Sequence, residues 1–212
     1  MQRAYGLEIP QTLEEVCDPR RMALLVYDMQ DGIVRHLPDA AAFTARVVRV
    51  VEAARRARMR VIFARHLSLP NELAGVFQLR TAMAWQRVER VEDVRPLFLR
   101  DAPDTRLVPE LVPLPSEAVF DKLAMSMFVG TPLEMVLRDC GISAFAIVGA
   151  VTEIGIEPTV RHGADLGFIP VVVADACGSV DPAAGERSLA SLDYAKMSLQ
   201  TDVDTFTRLL AG

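Results

Sequence analysis

Two side chains that can move protons close apolar runs in this sequence. Asp28 ends Ala23-Leu24-Leu25-Val26-Tyr27, and Lys122 ends Ala118-Val119-Phe120-Asp121. Runs of this kind read as buried strands, and open parallel sheets gather ligands at the carboxyl ends of their strands. Lys122 stands out because the chain has only two lysines, Lys122 and Lys196, among 23 basic residues. A third run, Phe145-Ala146-Ile147-Val148-Gly149, enters the small-residue turn Ala150-Val151-Thr152-Glu153-Ile154-Gly155. An acid, a base and a tight turn at three strand ends point to an enzyme.

The elements that must position these residues follow from hydrophobic pattern. Strands are expected at 22–28, 59–64, 117–121, 143–149 and 169–174, with a short sixth run near 197–201. They are continuously apolar rather than alternating, as expected where helices cover both faces of a sheet. Between the first two, Val47, Val50, Val51 and Ala54 recur at helical spacing within 40–58. Further helices are expected at 132–139, followed by Gly141 as a C-terminal cap, and at 186–195. Alternating strands and helices argue for a parallel α/β sheet with right-handed crossovers. The rhythm breaks at 65–116, where Pro96, Pro103, Pro109, Pro113 and Pro115 mark an insertion expected to cover a site or build an interface. Residues 1–20 read as an N-terminal extension of the same domain, 1–212.

Composition narrows the function classes. At 212 residues the chain can bury a full core, and 51% hydrophobic with 24% charged residues are globular values. A formal net charge of −5 leaves no basic footprint for nucleic acid. No apolar stretch approaches a membrane span, and the first twenty residues lack a signal-peptide core. Cys17, Cys140 and Cys177 are few and scattered, which fits a reduced, cytoplasmic protein better than a disulfide framework.

The ordered motifs resemble a known family. Leu25-Val26-Tyr27-Asp28-Met29-Gln30 is similar to the first-strand motif of the isochorismatase-like hydrolases. Val119-Phe120-Asp121-Lys122 with Ser126, Phe128, Thr131 and Leu133 resembles their lysine segment. Gly149 to Gly155 with Glu157, Thr159, Arg161 and Asp165-Leu166-Gly167 resembles the third motif, and Val173-Ala174-Asp175-Ala176 the strand and turn after it. The resemblance runs from about residue 20 to 205. It implies an open six-stranded parallel sheet with helices on both faces, a Rossmann-like three-layer fold. It also implies a non-proline cis peptide at Ala150–Val151 and a homo-oligomer, a dimer or tetramer, associating through the covering segment.

Most members of that family hydrolyse C–N bonds with an aspartate, a lysine and a cysteine. Here Gly155 stands where they have cysteine. Glycine offers no nucleophile, so an acyl-enzyme at that position is excluded. Cys177, after the Val173-Ala174-Asp175 strand end, is the one conceivable substitute, and small buried cysteines are ordinarily packing residues. The isochorismatases proper also carry glycine there, and they cleave a vinyl ether without a covalent intermediate. The resemblance therefore implies Asp28 as general acid, Lys122 as its orienting partner, and Gly155 as room plus a backbone N–H for an oxyanion. The acid role requires burial to outweigh Lys122, because an ordinary aspartate titrates near pH 3.9. Two rivals stand beside vinyl-ether cleavage of an isochorismate-like compound: C–N hydrolysis by water or another cysteine, and an inactive homologue that binds a metabolite or partner.

Gln30, Gln78, Trp85, Arg87, Phe128, Val151 and Thr152 are the candidate substrate-binding residues, with Arg80 and Arg161 as further cations for an anionic substrate. Each has a plainer reading. Gln30 can satisfy backbone groups, Thr152 can cap a helix, Glu153 can complement a helix start, and aromatics near loops commonly join the core. Metal-binding relatives use Asp-x-His-x-x-His after the second strand; only His66 falls there, so neither metal nor cofactor is expected.

Overall fold

The computed structural model describes residues 1–211. In chain order the elements are β1 (Gln2–Ala4), β2 (Leu7–Ile9), α1 (Leu13–Val16), β3 (Met22–Tyr27), α2 (Asp31–Val34), α3 (Ala40–Arg56) and β4 (Arg60–His66). There follow α4 (Val76–Gln86), β5 (Ala118–Lys122), α5 (Leu133–Asp139), β6 (Ala144–Ala150) and α6 (Glu157–Asp165). The chain ends with β7 (Ile169–Gly178), α7 (Pro182–Tyr194), β8 (Leu199–Thr201) and α8 (Val203–Leu210). All six expected strands are present and form one six-stranded sheet in the order β5-β4-β3-β6-β7-β8. Every neighbouring pair in it is parallel.

β3 shows why these strands are apolar throughout. Met22, Leu24 and Val26 pack on one face with Val47, Val50, Val51 and Phe206. Ala23, Leu25 and Tyr27 pack on the other with Leu133, Ile156, Val160 and Leu192. Burial of each such side chain stabilises the fold by roughly 1.5–3 kcal/mol, so a polar residue anywhere inside β3 would be strongly destabilising. Gly141, at φ 68, ends α5 as expected: Ile142 N–H donates to the Leu137 carbonyl and Gly141 N–H to that of Arg138.

The chain leaves β3 for β4 and β5 on one side, then crosses to β6, β7 and β8 on the other. The switch point thus lies between β3 and β6, where Asp28 leaves one strand and Ala150 ends the other. Beside shifts of one or two residues at element ends, those of β4 and β5 among them, three features differ from expectation. β7 runs to Gly178 because an irregularity between Ile147 and Gly149 lets pairing resume at Cys177. α7 begins at Pro182, capped by Asp181, whose side chain accepts from the N–H groups of Ala183 and Ala184. Residues 1–20 carry a small antiparallel hairpin and α1, which were not legible as elements.

Candidate active site

Asp28 and Lys122 meet. Lys122 Nζ donates to Asp28 Oδ2 at 2.8 Å, although β3 and β5 are separated by β4. Parallel register explains the reach: Tyr27 pairs with Ala64 on β4, while Lys122 pairs with His66 two residues further along the same strand. The lysine stem therefore crosses the end of β4 to the residue just past β3. Asp28 turns back at φ 44, with its N–H on the Ala64 carbonyl at 3.2 Å. Both side chains are shut away from solvent; Asp28 is 5% and Lys122 2% exposed.

The pair is not neutral bookkeeping between equals. Burial pushes the Asp28 carboxyl above its ordinary value, and the opposing pull of the Lys122 ammonium does not cancel it. Oδ2 is held by Lys122, but Oδ1 is buried without a hydrogen bond of good geometry; the His66 N–H, which acts on the carboxyl at longer range, is given to Gln30 Oε1. Native proteins leave few buried acceptors unsatisfied, and those that remain call for an explanation.

His66 lies beside the pair. Its Nδ1 is buried and unpartnered, and its ring meets Phe98 edge-on at 5.7 Å between centroids. Burial first, and Lys122 second, lower it to about 4, so the imidazole is neutral next to the ammonium. Among the described residues no three His, Cys, Asp or Glu side chains converge.

The third motif departs from expectation at Gly155. The Ala150–Val151 peptide bond is cis, and Thr152–Ile156 form a π-type turn that leads into α6. Gly155 was expected to offer room and a free N–H; it offers neither. Its N–H donates to the Val151 carbonyl at 2.9 Å. A Cβ at 155 would lie 2.0 Å from the Tyr27 hydroxyl oxygen, so the tyrosine already occupies the space. Tyr27 is 1% exposed, its hydroxyl donates to the Met125 carbonyl, and its ring lies 4.3 Å beneath Lys122 Nζ. Gly149 serves the same residue from the other side. At φ 120, its Cβ would fall 2.0 Å from the Tyr27 carbonyl oxygen.

The remaining candidates sort plainly. Gln30 is fully buried, and its amide is consumed by backbone: Oε1 accepts from His66 N–H at 2.6 Å, and Nε2 donates to the carbonyls of His66 and Thr105. Thr152 does not cap a helix; it is buried with Oγ1 on the Gly178 carbonyl at 2.9 Å. Glu153 accepts from the N–H groups of Val180 and Asp181, holding the loop before α7. Val151 is buried beside the cis bond. Phe128 belongs to an aromatic cluster, stacked on Phe168 at 5.8 Å and tilted against Phe145. Gln78, Arg80, Trp85 and Arg87 face solvent on and just after α4, and Gln78 accepts from Gly75 N–H at the helix start. Arg161 pairs with Glu157 and Ser191. Of the sequence candidates, Asp28 and Lys122 come into contact, with Gly155 linked to them through Tyr27. Cys177 lies against the sheet with Sγ 3.6 Å from the Ile147 carbonyl, and burial pushes its thiol far above the ordinary range.

Two site residues escaped sequence reasoning. Tyr27 was read only as the last position of a strand, and His66 only as a would-be metal ligand. A signal for Tyr27 existed: a lone tyrosine in an aliphatic run, with glycines at 149 and 155 able to receive it.

The profile of the Isochorismatase domain matches residues 22–203. The chain belongs to the isochorismatase family. Solved structures agree in fold. A cysteine hydrolase from Pseudomonas syringae superposes with a TM-score of 0.75 at 25% identity, covering 92% of this chain and 95% of that one. An isochorismatase family protein from Desulfovibrio vulgaris gives 0.76 at 22%, covering 91% and 100%. N-carbamoylsarcosine amidase from Thermoplasma acidophilum gives 0.71 at 23%, covering 87% and 97%. The isochorismatase-like hydrolases thus supply the frame within which this site is read.

Proposed function

We propose that this protein hydrolyses a small anionic or polar molecule without a covalent intermediate, and that its reaction is cleavage of an enol-pyruvyl ether. One observation carries the reading: a buried aspartate has one oxygen held by lysine and the other unpartnered, beside a turn where tyrosine fills the place of any nucleophile. The resting pair is ionic; in the first step the fraction of Asp28 that carries a proton, enlarged by burial, delivers it to the terminal methylene of the vinyl ether, leaving an oxocarbenium ion. Water adds to the ether-bearing carbon of that cation, giving a hemiketal, and returns a proton to Asp28. The hemiketal then loses the alcohol and releases pyruvate. Burial of Asp28 supports the acid role, since it keeps more of the carboxyl protonated at a given pH.

The same displacement disfavours C–N hydrolysis by direct water attack, which needs Asp28 as a carboxylate base. It gives Cys177 no role either, since a half-buried thiol whose value is raised stays protonated and is a poor nucleophile. A ligand-binding protein without turnover is the remaining alternative.

A second copy of the chain completes the proposal. α4 contains no buried residue, yet Val76 is 87%, Phe77 76% and Trp85 60% exposed. Apolar residues surround this helix rather than forming a single stripe, and such helices are stable when covered on several sides. An exposed apolar surface of this kind marks an interaction site. We assign its cover to α4 of a partner copy in a homo-oligomer.

The test is a coupled pyruvate-release assay on isochorismate and related enol-pyruvyl ethers, run beside a panel of amides and carbamoyl compounds. Pyruvate from an ether supports the proposal. Ammonia from an amide with no pyruvate supports the C–N reading. Saturable binding without turnover supports the binding protein.

A further inference from the structure

The residues around Tyr27 fit together more tightly than a core tyrosine requires. Its backbone is pressed by Gly149, where a Cβ would lie 2.0 Å from the Tyr27 carbonyl oxygen, and its hydroxyl lies the same 2.0 Å from the Cβ position of Gly155. The hydroxyl donates to the Met125 carbonyl in the loop just after Lys122, which ties the ring to the lysine segment. Thr159 braces that loop and the turn together: its Oγ1 donates to the Gly155 carbonyl at 2.7 Å and accepts from Met127 N–H at 3.1 Å. The product of these contacts is a ring face 4.3 Å below the Lys122 ammonium.

An ammonium buried to this degree needs compensation on more than one side. Among the described residues the Lys122 ammonium has a single hydrogen bond, to Asp28. Its other charge-stabilising contact is the electron-rich face of Tyr27, since the group beside it on β4, His66, is neutral. The titratable groups packed around Lys122 are thus Asp28 and Tyr27 from the β3 segment and His66 from β4. Tyr27 stays a phenol in this setting, because burial and the Asp28 charge both raise it.

We propose that Tyr27 is the positioning residue of the Asp28–Lys122 pair, its ring carrying the ammonium where it meets the carboxylate. Gly155 is glycine because the hydroxyl that anchors this ring occupies the space of its side chain. The inference rests on the pair being the working site, but its test needs no substrate, so failure of the pyruvate assay leaves it standing or falling separately.

The chain's two lysines make the test simple, since Lys196 is exposed and serves as an internal control. Selectively labelled lysine gives two sets of side-chain NMR resonances. In the unmodified protein the Lys122 Hε protons should lie upfield of those of Lys196, shifted by the ring. In Y27F the shift should persist in reduced form, because the ring remains but its anchoring hydroxyl is gone. In Y27L it should vanish, and in G155A it should shrink as the added methyl displaces the hydroxyl. Reductive methylation supplies the second readout, by mass spectrometry. Lys196 should be modified in every variant, whereas Lys122 should resist in the unmodified protein and Y27F and yield by at least about tenfold in Y27L. No upfield displacement in the unmodified protein, or equal protection of Lys122 in Y27L and Y27F, would overturn the proposal. Should Y27L fail to fold, the shift in the unmodified protein and the G155A comparison decide it.

Discussion

Lys122 and Asp28 form a 2.8 Å ion pair between strands that do not touch, with the end of β4 between them. The contact depends on the lysine reaching past His66, its register partner, to a backbone that reverses at Asp28. Its consequence is a pair of charges with no solvent to screen them, which makes each partner's removal expensive.

Breaking the pair from the lysine side should therefore hurt stability. K122M leaves a buried carboxylate uncompensated, and the expected loss is about 3–5 kcal/mol at neutral pH. The double variant D28N/K122M removes both charges and should lose markedly less than K122M alone. Denaturant unfolding of the two variants, read as a difference, checks this; equal losses would mean that the charges do not depend on each other.

Stability should also fall on acidification through His66. Its value is lowered from 6.5 in the unfolded chain to about 4 in the fold. The neutral form is thus favoured by folding, so this contribution is present above pH 6.5, declines as pH drops, and is gone below about 4. At about 1.4 kcal/mol per unit it amounts to at most about 3.5 kcal/mol. Asp28 acts in the opposite sense, because its raised value makes the charged form a penalty that grows as pH rises from its ordinary 3.8. Urea midpoints between pH 4 and 7 should therefore flatten in H66F, and an unchanged profile would refute the assignment to His66.

The motifs around Asp28 and Lys122 were legible because chemistry and strand pattern coincide there: each residue ends an apolar run, and both runs became strands of one sheet. The strand count and the helices behind them follow from the same periodicities. What could not be read was any feature decided by packing between distant segments. Gly155 looked like empty space because sequence does not show that Tyr27 points at it. Gln30 does satisfy backbone groups, as its plainer reading had it, but the partners could not be named, because they come from His66 and Thr105, the latter in a proline-bearing stretch with no pattern of its own. Gln78, Trp85 and Arg87 were assigned to the site from an insertion whose helix turns out to contain no buried residue.

Reinstating a thiol should fail unless the tyrosine leaves. G155C places Cβ 2.0 Å from the Tyr27 hydroxyl and should destabilise the fold by at least about 1–3 kcal/mol through overpacking. Y27L/G155C should recover part of that loss. A double-mutant cycle giving a coupling energy above about 1 kcal/mol is the expected result, and strict additivity would show that the two positions do not compete.

Association through α4 predicts a specific failure. Sedimentation of the unmodified protein should show a dimer or larger species at micromolar concentration. Placing glutamate at both Phe77 and Trp85 should yield monomers without loss of secondary structure, because neither residue is buried within one chain. A monomeric unmodified protein would remove this interface.

Reaction in heavy water followed by mass spectrometry of released pyruvate tests most directly whether Asp28 protonates carbon. One deuterium should appear in the pyruvate methyl group, and D28N should lower the rate by about two to four orders of magnitude, while C177A leaves it unchanged. Pyruvate formed equally fast by D28N, or activity abolished by C177A, would contradict the account.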